Sequence, residues 1–144
     1  MSSVTLPVSN LEIEGPIVDV SFSIPSELDS KLKIEDKKIP NPILVKAMID
    51  TGSSHCVIQE NIPKQLGLSP VGATGIRTAT GRSECYLYFL RMSIPKHNFV
   101  YEGVFTAVTL EAQQSACLIG RDLLSKCTFI YNGPKNEFTL DLSK

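Results

Sequence analysis

Ala47-Met48-Ile49-Asp50-Thr51-Gly52-Ser53-Ser54 is the stretch on which the reading of this chain turns. The residues leading into it, Ile43–Ile49, are mostly apolar, which predicts a strand buried on both faces. That strand runs straight into a polar turn headed by Asp50. A carboxylate placed directly after a buried strand sits where water is scarce, and desolvation disfavours its charged form unless hydrogen bonds hold it. The next residues can supply such bonds. Thr51 brings a hydroxyl, Gly52 lets backbone N–H groups approach, and Ser53 adds another donor. Asp is also common as a plain turn residue at strand ends, so the tripeptide alone decides little.

Two further elements lie downstream. Ile76-Arg77-Thr78 and Ser83-Glu84-Cys85 flank Ala79-Thr80-Gly81-Arg82, where Gly81 supplies the permissive backbone of a tight reversal. This predicts a hairpin over residues 76–85, its second arm continuing through Tyr86–Ile94. About seventy residues after Asp50 comes Ala116-Cys117-Leu118-Ile119-Gly120-Arg121-Asp122-Leu123-Leu124: an apolar run, a glycine, then Arg-Asp opening a short helix.

The remainder reads as short strands and turns. Ile17–Ile24 alternates, with Val18, Val20 and Phe22 on one face and Asp19 and Ser21 on the other. Residues 26–42 are charged and carry Pro40 and Pro42, so they read as a loop insert. Asn61–Leu66 suits one helical turn closed by Gly67. Phe99–Val108 is a strand, and Thr128–Tyr131 and Glu137–Leu142 pair across Asn132-Gly133-Pro134-Lys135-Asn136. Residues 1–12 read as a flexible N-terminus. Seven or eight regularly spaced strands with one or two short helices predict an all-β domain, closed and barrel-like, spanning residues 1–144 as a single unit.

Composition narrows the function. At 144 residues the chain buries roughly two-thirds of its unfolded surface, enough for a core without staples. Net charge is −1 with no basic block, so nucleic-acid binding is not expected. Cys56, Cys85, Cys117 and Cys127 form no C-x-x-C pair and no zinc spacing, and read as reduced thiols. No metal or other cofactor is expected. The start shows no signal-peptide pattern and no apolar run approaches a membrane span, so a cytoplasmic protein without membrane contact is expected.

Asp-Thr-Gly-Ser on a strand, a Gly-tipped hairpin and Leu-Ile-Gly-Arg-Asp occur here in the order found in the retropepsin-like (retroviral-type) aspartic proteases, and the chain resembles a bacterial-type member of that family from about Ile17 to Leu142. The resemblance implies the retropepsin fold and an aspartic endopeptidase. Asp50 would be the catalytic carboxylate, Thr51 would brace the two loops across a dimer axis, and Gly52 would receive hydrogen bonds from substrate backbone. Ser53 would help hold the Asp50 carboxylate. Thr78, Ala79, Thr80, Gly81 and Arg82 would form the tip of a flap closing over a polypeptide substrate. Gly120 would let its strand pass close to the Asp50 loop, Arg121 would anchor the region through an ion pair, and Asp122 is one candidate partner beside Glu60 or a carboxylate of a second subunit.

The chain departs from the viral pattern at Ser54, where many relatives carry an Asp that pairs with the motif arginine. His55 lies beside the expected groove and reads as a surface histidine. Peptide hydrolysis needs both a base and an acid, and Asp19, Asp29, Asp36, Asp122 and Asp141 all lack a following Thr/Ser-Gly. A homodimer is therefore expected, with Glu137–Leu142 as a candidate interface strand. The alternative is a catalytically weak or inactive binding or dimerisation module on the same fold. A fragment of a retroelement polyprotein is the weakest reading, because basic flanks and zinc-knuckle cysteines are lacking.

Overall fold

The computed structural model describes residues 3–78, 81–110 and 115–142, with backbone alone for 76–78. Among these residues are ten strands, arranged in two sheets, and four short helices. β2 (Ile17–Ser23) shows why the alternation was informative: Val18, Val20 and Phe22 are buried while Asp19 is exposed. β3 (Ile43–Ile49) pairs with it antiparallel, Val20 opposite Val45. β3 is not buried on both faces along its whole length. Leu44 and Lys46 are exposed, and only Ala47–Ile49 are enclosed, where β8 (Cys117–Ile119) lies alongside in parallel.

β4 (Val57–Gln59) pairs with β8 and with β7 (Phe99–Val108); β7 pairs with the long β6 (Gly81–Ile94). β6 also pairs with β2, so six strands return upon themselves in a hydrogen-bonded ring. β5 (Gly72–Thr78) lies outside the ring, paired only with the first half of β6 among the described residues. The ring is filled by Phe22, Leu90, Met92, Phe99 and Phe105, with Phe22 and Phe105 edge to face at 5.3 Å.

The smaller sheet runs β1 (Ser3–Pro7), β10 (Glu137–Asp141), β9 (Thr128–Asn132), all antiparallel. Two expectations change here. From Ser3 onward the N-terminal segment is paired: β1 along five positions, and α1 (Leu11–Glu14) is tied down by a buried Leu11 whose N–H donates to Asn136 Oδ1 at 2.8 Å. Glu137–Asp141 has strands on both sides, so it is no free edge; among the described residues β1 and β9 are the two edges of this sheet.

The loop insert also contains structure. Residues 26–34 form α2 (Ser26–Ile34). None of its residues is fully buried, which is why its composition looks like a loop. It forms because Leu28 and Leu32, one turn apart, pack against the core. Glu27 and Asp29 in the first turn and Lys31 and Lys33 in the last complement the helix dipole, and Lys33 pairs with Asp29 at 3.0 Å. α3 (Asn61–Gln65) ends at Leu66, with Gly67 at φ +70° as the sequence suggests. Among the described residues no helix is long and apolar enough to cross a membrane.

β3 and β8 position the candidate site. They are parallel and in register, Ile49 opposite Ile119, so Asp50 and Gly120 leave the sheet together.

Candidate active site

Asp50 is half-buried at the end of β3, and its N–H donates to Ile119 O at 2.9 Å. The chain then turns, Ser53 N–H donating to Asp50 O at 3.1 Å. Gly52 N–H donates to Asp50 Oδ1 at 2.9 Å. A Cβ on Gly52 would sit 3.1 Å from that oxygen, so the glycine is what allows the amide and the carboxylate this close. An ionised carboxylate accepting a backbone N–H is held more firmly than by a neutral contact. Thr51 and Gly52 are exposed beside it.

Segment 119–122 clamps this loop from below. Gly120 is buried against it: a Cβ there would lie 2.5 Å from both C and O of His55 and 3.0 Å from Cys56 N. Arg121 N–H donates to Ser53 O at 2.8 Å, and Arg121 Nη1 donates to Thr51 O at 2.7 Å. The arginine therefore anchors the loop through a backbone carbonyl, and among the described residues it forms no ion pair. With Ser54 in place of a carboxylate, the Thr51 carbonyl is the acceptor within reach. Asp122 is not its partner. It opens α4 (Arg121–Leu124) and turns back to accept Cys56 N–H, at 3.0 and 3.1 Å from its two oxygens, as well as Leu123 N–H at 2.8 Å.

Ser53 also differs from expectation. Its hydroxyl donates to His55 O at 2.6 Å, so it braces the loop and does not hold the Asp50 carboxylate. Glu60 lies beyond β4, its N–H on Val108 O.

Of the hairpin residues, Thr78 and Gly81 face one another as the last described pair, Gly81 at φ +130°, while Ala79 and Thr80 lie outside the described residues. Arg82 folds its guanidinium back across Gly75, where any Cβ would overlap it. Between the hairpin and the Asp50 loop is a cavity of about 400 Å³ lined by Ser53, Ser54, His55, Val57, Thr74, Gly75 and Thr106. A larger cavity of about 490 Å³, bordered by Leu6–Ser9, Ile17–Asp19 and Ile94–His97, is lined by none of the Asp50 loop residues. We place the site by the held carboxylate, since volume alone carries no chemistry. His55 is 72% exposed and its Nδ1 lies 3.9 Å from Asp122 Oδ2.

Sequence reasoning missed Cys56. It is fully buried, donates its S–H to Asp122 Oδ1 at 3.0 Å and accepts Gly120 N–H at 3.3 Å. Burial, and then the hydrogen bond to Asp122, push this thiol up to about 12. Its only signal in the sequence is its position at the head of the apolar run that becomes β4. All four cysteines are free. Among the described residues no three His, Cys, Asp or Glu side chains converge as metal ligands would.

Residues 32–126, which contain both Asp50 and Gly120–Asp122, match the family described as "gag-polyprotein putative aspartyl protease". Among solved structures, the solution structure of simian foamy virus (mac) protease is similar at 18% identity and a TM-score of 0.42, over 55% of this chain and 78% of that one. No curated protein matches. Matched over more than half its length by that family, the chain belongs to the gag-polyprotein putative aspartyl proteases.

Proposed function

We propose that the protein is an aspartic endopeptidase, active as a homodimer in which each subunit contributes one Asp50. The observation that carries this reading is the Asp50 carboxylate, half-buried and held by Gly52 N–H, in a chain with no second Asp-Thr/Ser-Gly. Two such carboxylates meeting on a two-fold axis share one proton, as is established for aspartic protease dyads generally. One activates water; its protonated mate polarises the scissile carbonyl. Thr51, exposed at the loop tip with its carbonyl held by Arg121, meets its copy across the two-fold axis in this reading, and Gly52 offers backbone to an extended peptide. The 76–85 hairpin serves as the flap, with Thr78, Ala79, Thr80, Gly81 and Arg82 at its tip excluding water over the substrate.

Of the two edges of the smaller sheet, β9 is the one that pairs the subunits, since β1 ends in Pro7. Thr128-Phe129-Ile130-Tyr131-Asn132 carries no charge or proline to guard its edge, and Ile130 and Tyr131 are each 51% exposed. Antiparallel pairing about Ile130 sets Ile against Ile, Phe against Tyr and Thr against Asn, a self-complementary arrangement suited to a two-fold. Residues 1–144 act as one domain, and four free thiols fit a reducing cytoplasm.

The test is Asp50→Asn. It keeps fold and dimer, by circular dichroism and sedimentation, and abolishes cleavage of unfolded polypeptide; full activity in a pure variant removes the mechanism. Activity is highest at acidic to mildly acidic pH, because the dyad must retain one proton. A binding or dimerisation module is the second reading, favoured if the wild type leaves peptide mixtures uncut; sedimentation as a monomer at micromolar concentration then selects the binding module. The family's gag-polyprotein description also supports an origin in a retroelement polyprotein, beside the bacterial-type reading.

A further inference from the structure

We propose that Cys56 is a positioning residue for the catalytic loop, its thiol serving as a two-way hydrogen-bonding link between Gly120 and Asp122; this rests on Asp50 being the catalytic group. The thiol stands where the two halves of the site meet. It accepts Gly120 N–H at 3.3 Å and donates to Asp122 Oδ1 at 3.0 Å, with none of its surface exposed. Asp122 Oδ1 thereby gathers three donors: Cys56 S–H, Cys56 N–H and Leu123 N–H. Oδ2 shares the Cys56 N–H at 3.1 Å and faces His55.

From Cys56 the constraint runs back along the loop. His55 O accepts the Ser53 hydroxyl, Ser53 O accepts Arg121 N–H, and Ser53 N–H bonds Asp50 O. Loosening the thiol link frees the far end of the loop whose near end presents the Asp50 carboxylate. An aliphatic replacement leaves the buried Gly120 N–H without its acceptor, and unmet buried donors are costly. A hydroxyl supplies both functions from a shorter bond. Burial also keeps the thiol protonated at working pH, so it stays a donor and does not act as a nucleophile.

The test uses the full chain, with Cys56→Ala, Cys56→Ser, Asp122→Asn and Asp122→Ala. Val20→Ala, in the fully buried interior of β2, serves as a stability control. Displacing a reacting group by about 1 Å costs up to a hundredfold, so Cys56→Ala and Asp122→Ala lower kcat about ten- to a hundredfold with KM within about twofold. Cys56→Ser recovers most of kcat. Asp122→Asn also keeps most of it, because one amide oxygen replaces Oδ1 for all three donors. Val20→Ala shifts Tm without that loss in kcat. Wild-type kcat in Cys56→Ala, no recovery in Cys56→Ser, or an equal kcat loss in Val20→Ala at equal Tm overturns the proposal. Should Cys56→Ala not fold, the Asp122 pair decides alone: equal losses in both overturn it.

Amide exchange at Gly52, whose N–H meets Asp50 Oδ1, separates the two claims. Faster exchange in Cys56→Ala but not in Cys56→Ser supports the link even if the wild type cleaves nothing, which would sink only the enzymatic reading. Unchanged exchange in Cys56→Ala overturns the link itself.

Discussion

Gly120→Ala is the sharpest test of the clamp. Gly120 has φ −95° and ψ −176°, extended backbone that alanine adopts freely, so any cost must come from packing alone. Its Cβ would lie 2.5 Å from His55 C and O, where ordinary contact begins at 3.4 Å; the loop backbone must give by about 0.9 Å. Replacing glycine by alanine at a compatible site stabilises by about 0.4–1 kcal/mol through the unfolded chain. Overpacking in a tight interior costs about 1–3 kcal/mol and more where backbone is the obstacle. The balance is a net loss of about 1–2 kcal/mol, a fall in Tm of about 2–8 °C for a chain of this size. Activity falls further, because the displaced backbone belongs to the loop that carries Asp50. The companion is Gly133→Ala, whose Cβ meets only Tyr131 Cε1 at 3.6 Å, and which stays within about 0.5 kcal/mol of wild type. Urea unfolding and peptide hydrolysis are measured on both. A Gly120→Ala protein as stable and as active as Gly133→Ala refutes the close approach of the two segments.

Three other outcomes follow from the same geometry. Arg121→Met loses the 2.7 Å bond to Thr51 O, costing about 1 kcal/mol of stability in urea and a larger share of activity; if Arg121→Met behaves as wild type in both assays, the carbonyl anchor is wrong. Ile130→Lys, at an exposed position of the β9 edge, sets two like charges face to face in the proposed pairing and shifts sedimentation toward the monomer without lowering monomer stability; an unaltered dimer removes β9 from the interface. Cys56 is raised from 9.0 to about 12 by folding, so the native thiol holds its proton where the unfolded one has lost it. The stability from its protonated form is complete below pH 9 and is lost as pH rises from 9 toward 12, at up to about 1.4 kcal/mol per unit. The urea midpoint of wild type therefore falls more steeply over that range than that of Cys56→Ser; parallel curves exclude the effect.

The parts of the fold that were legible in the sequence are those specified by neighbours along the chain. Val18, Val20 and Phe22 alternate with polar residues and so announce β2, and Asn132–Asn136 announces the β9–β10 hairpin. The order of Asp50-Thr51-Gly52, hairpin and Gly120-Arg121-Asp122 was legible too, because each is a contiguous motif. What could not be read depends on partners far away in the chain. α2 is polar overall and gains its stability from two leucines on the core. β1 is ordered by pairing with residues more than a hundred positions later. The Arg121 acceptor is a main-chain oxygen, which no side-chain pattern reveals. Ser53 and Cys56 point where the local turn sends them, one to a carbonyl and one to a carboxylate.

The parallel pairing of β3 with β8 has a kinetic side. Ala47 through Ile49 meet Cys117 through Ile119 only after some seventy intervening residues have been brought into place, and contacts of such long sequence separation form slowly. The Asp50 turn can thus be synthesised early and yet stay unset until Gly120 and Arg121 arrive beneath it. A nascent chain halted before that point carries the acidic residue without the means to aim it, so the setting of that turn must trail the rest of folding.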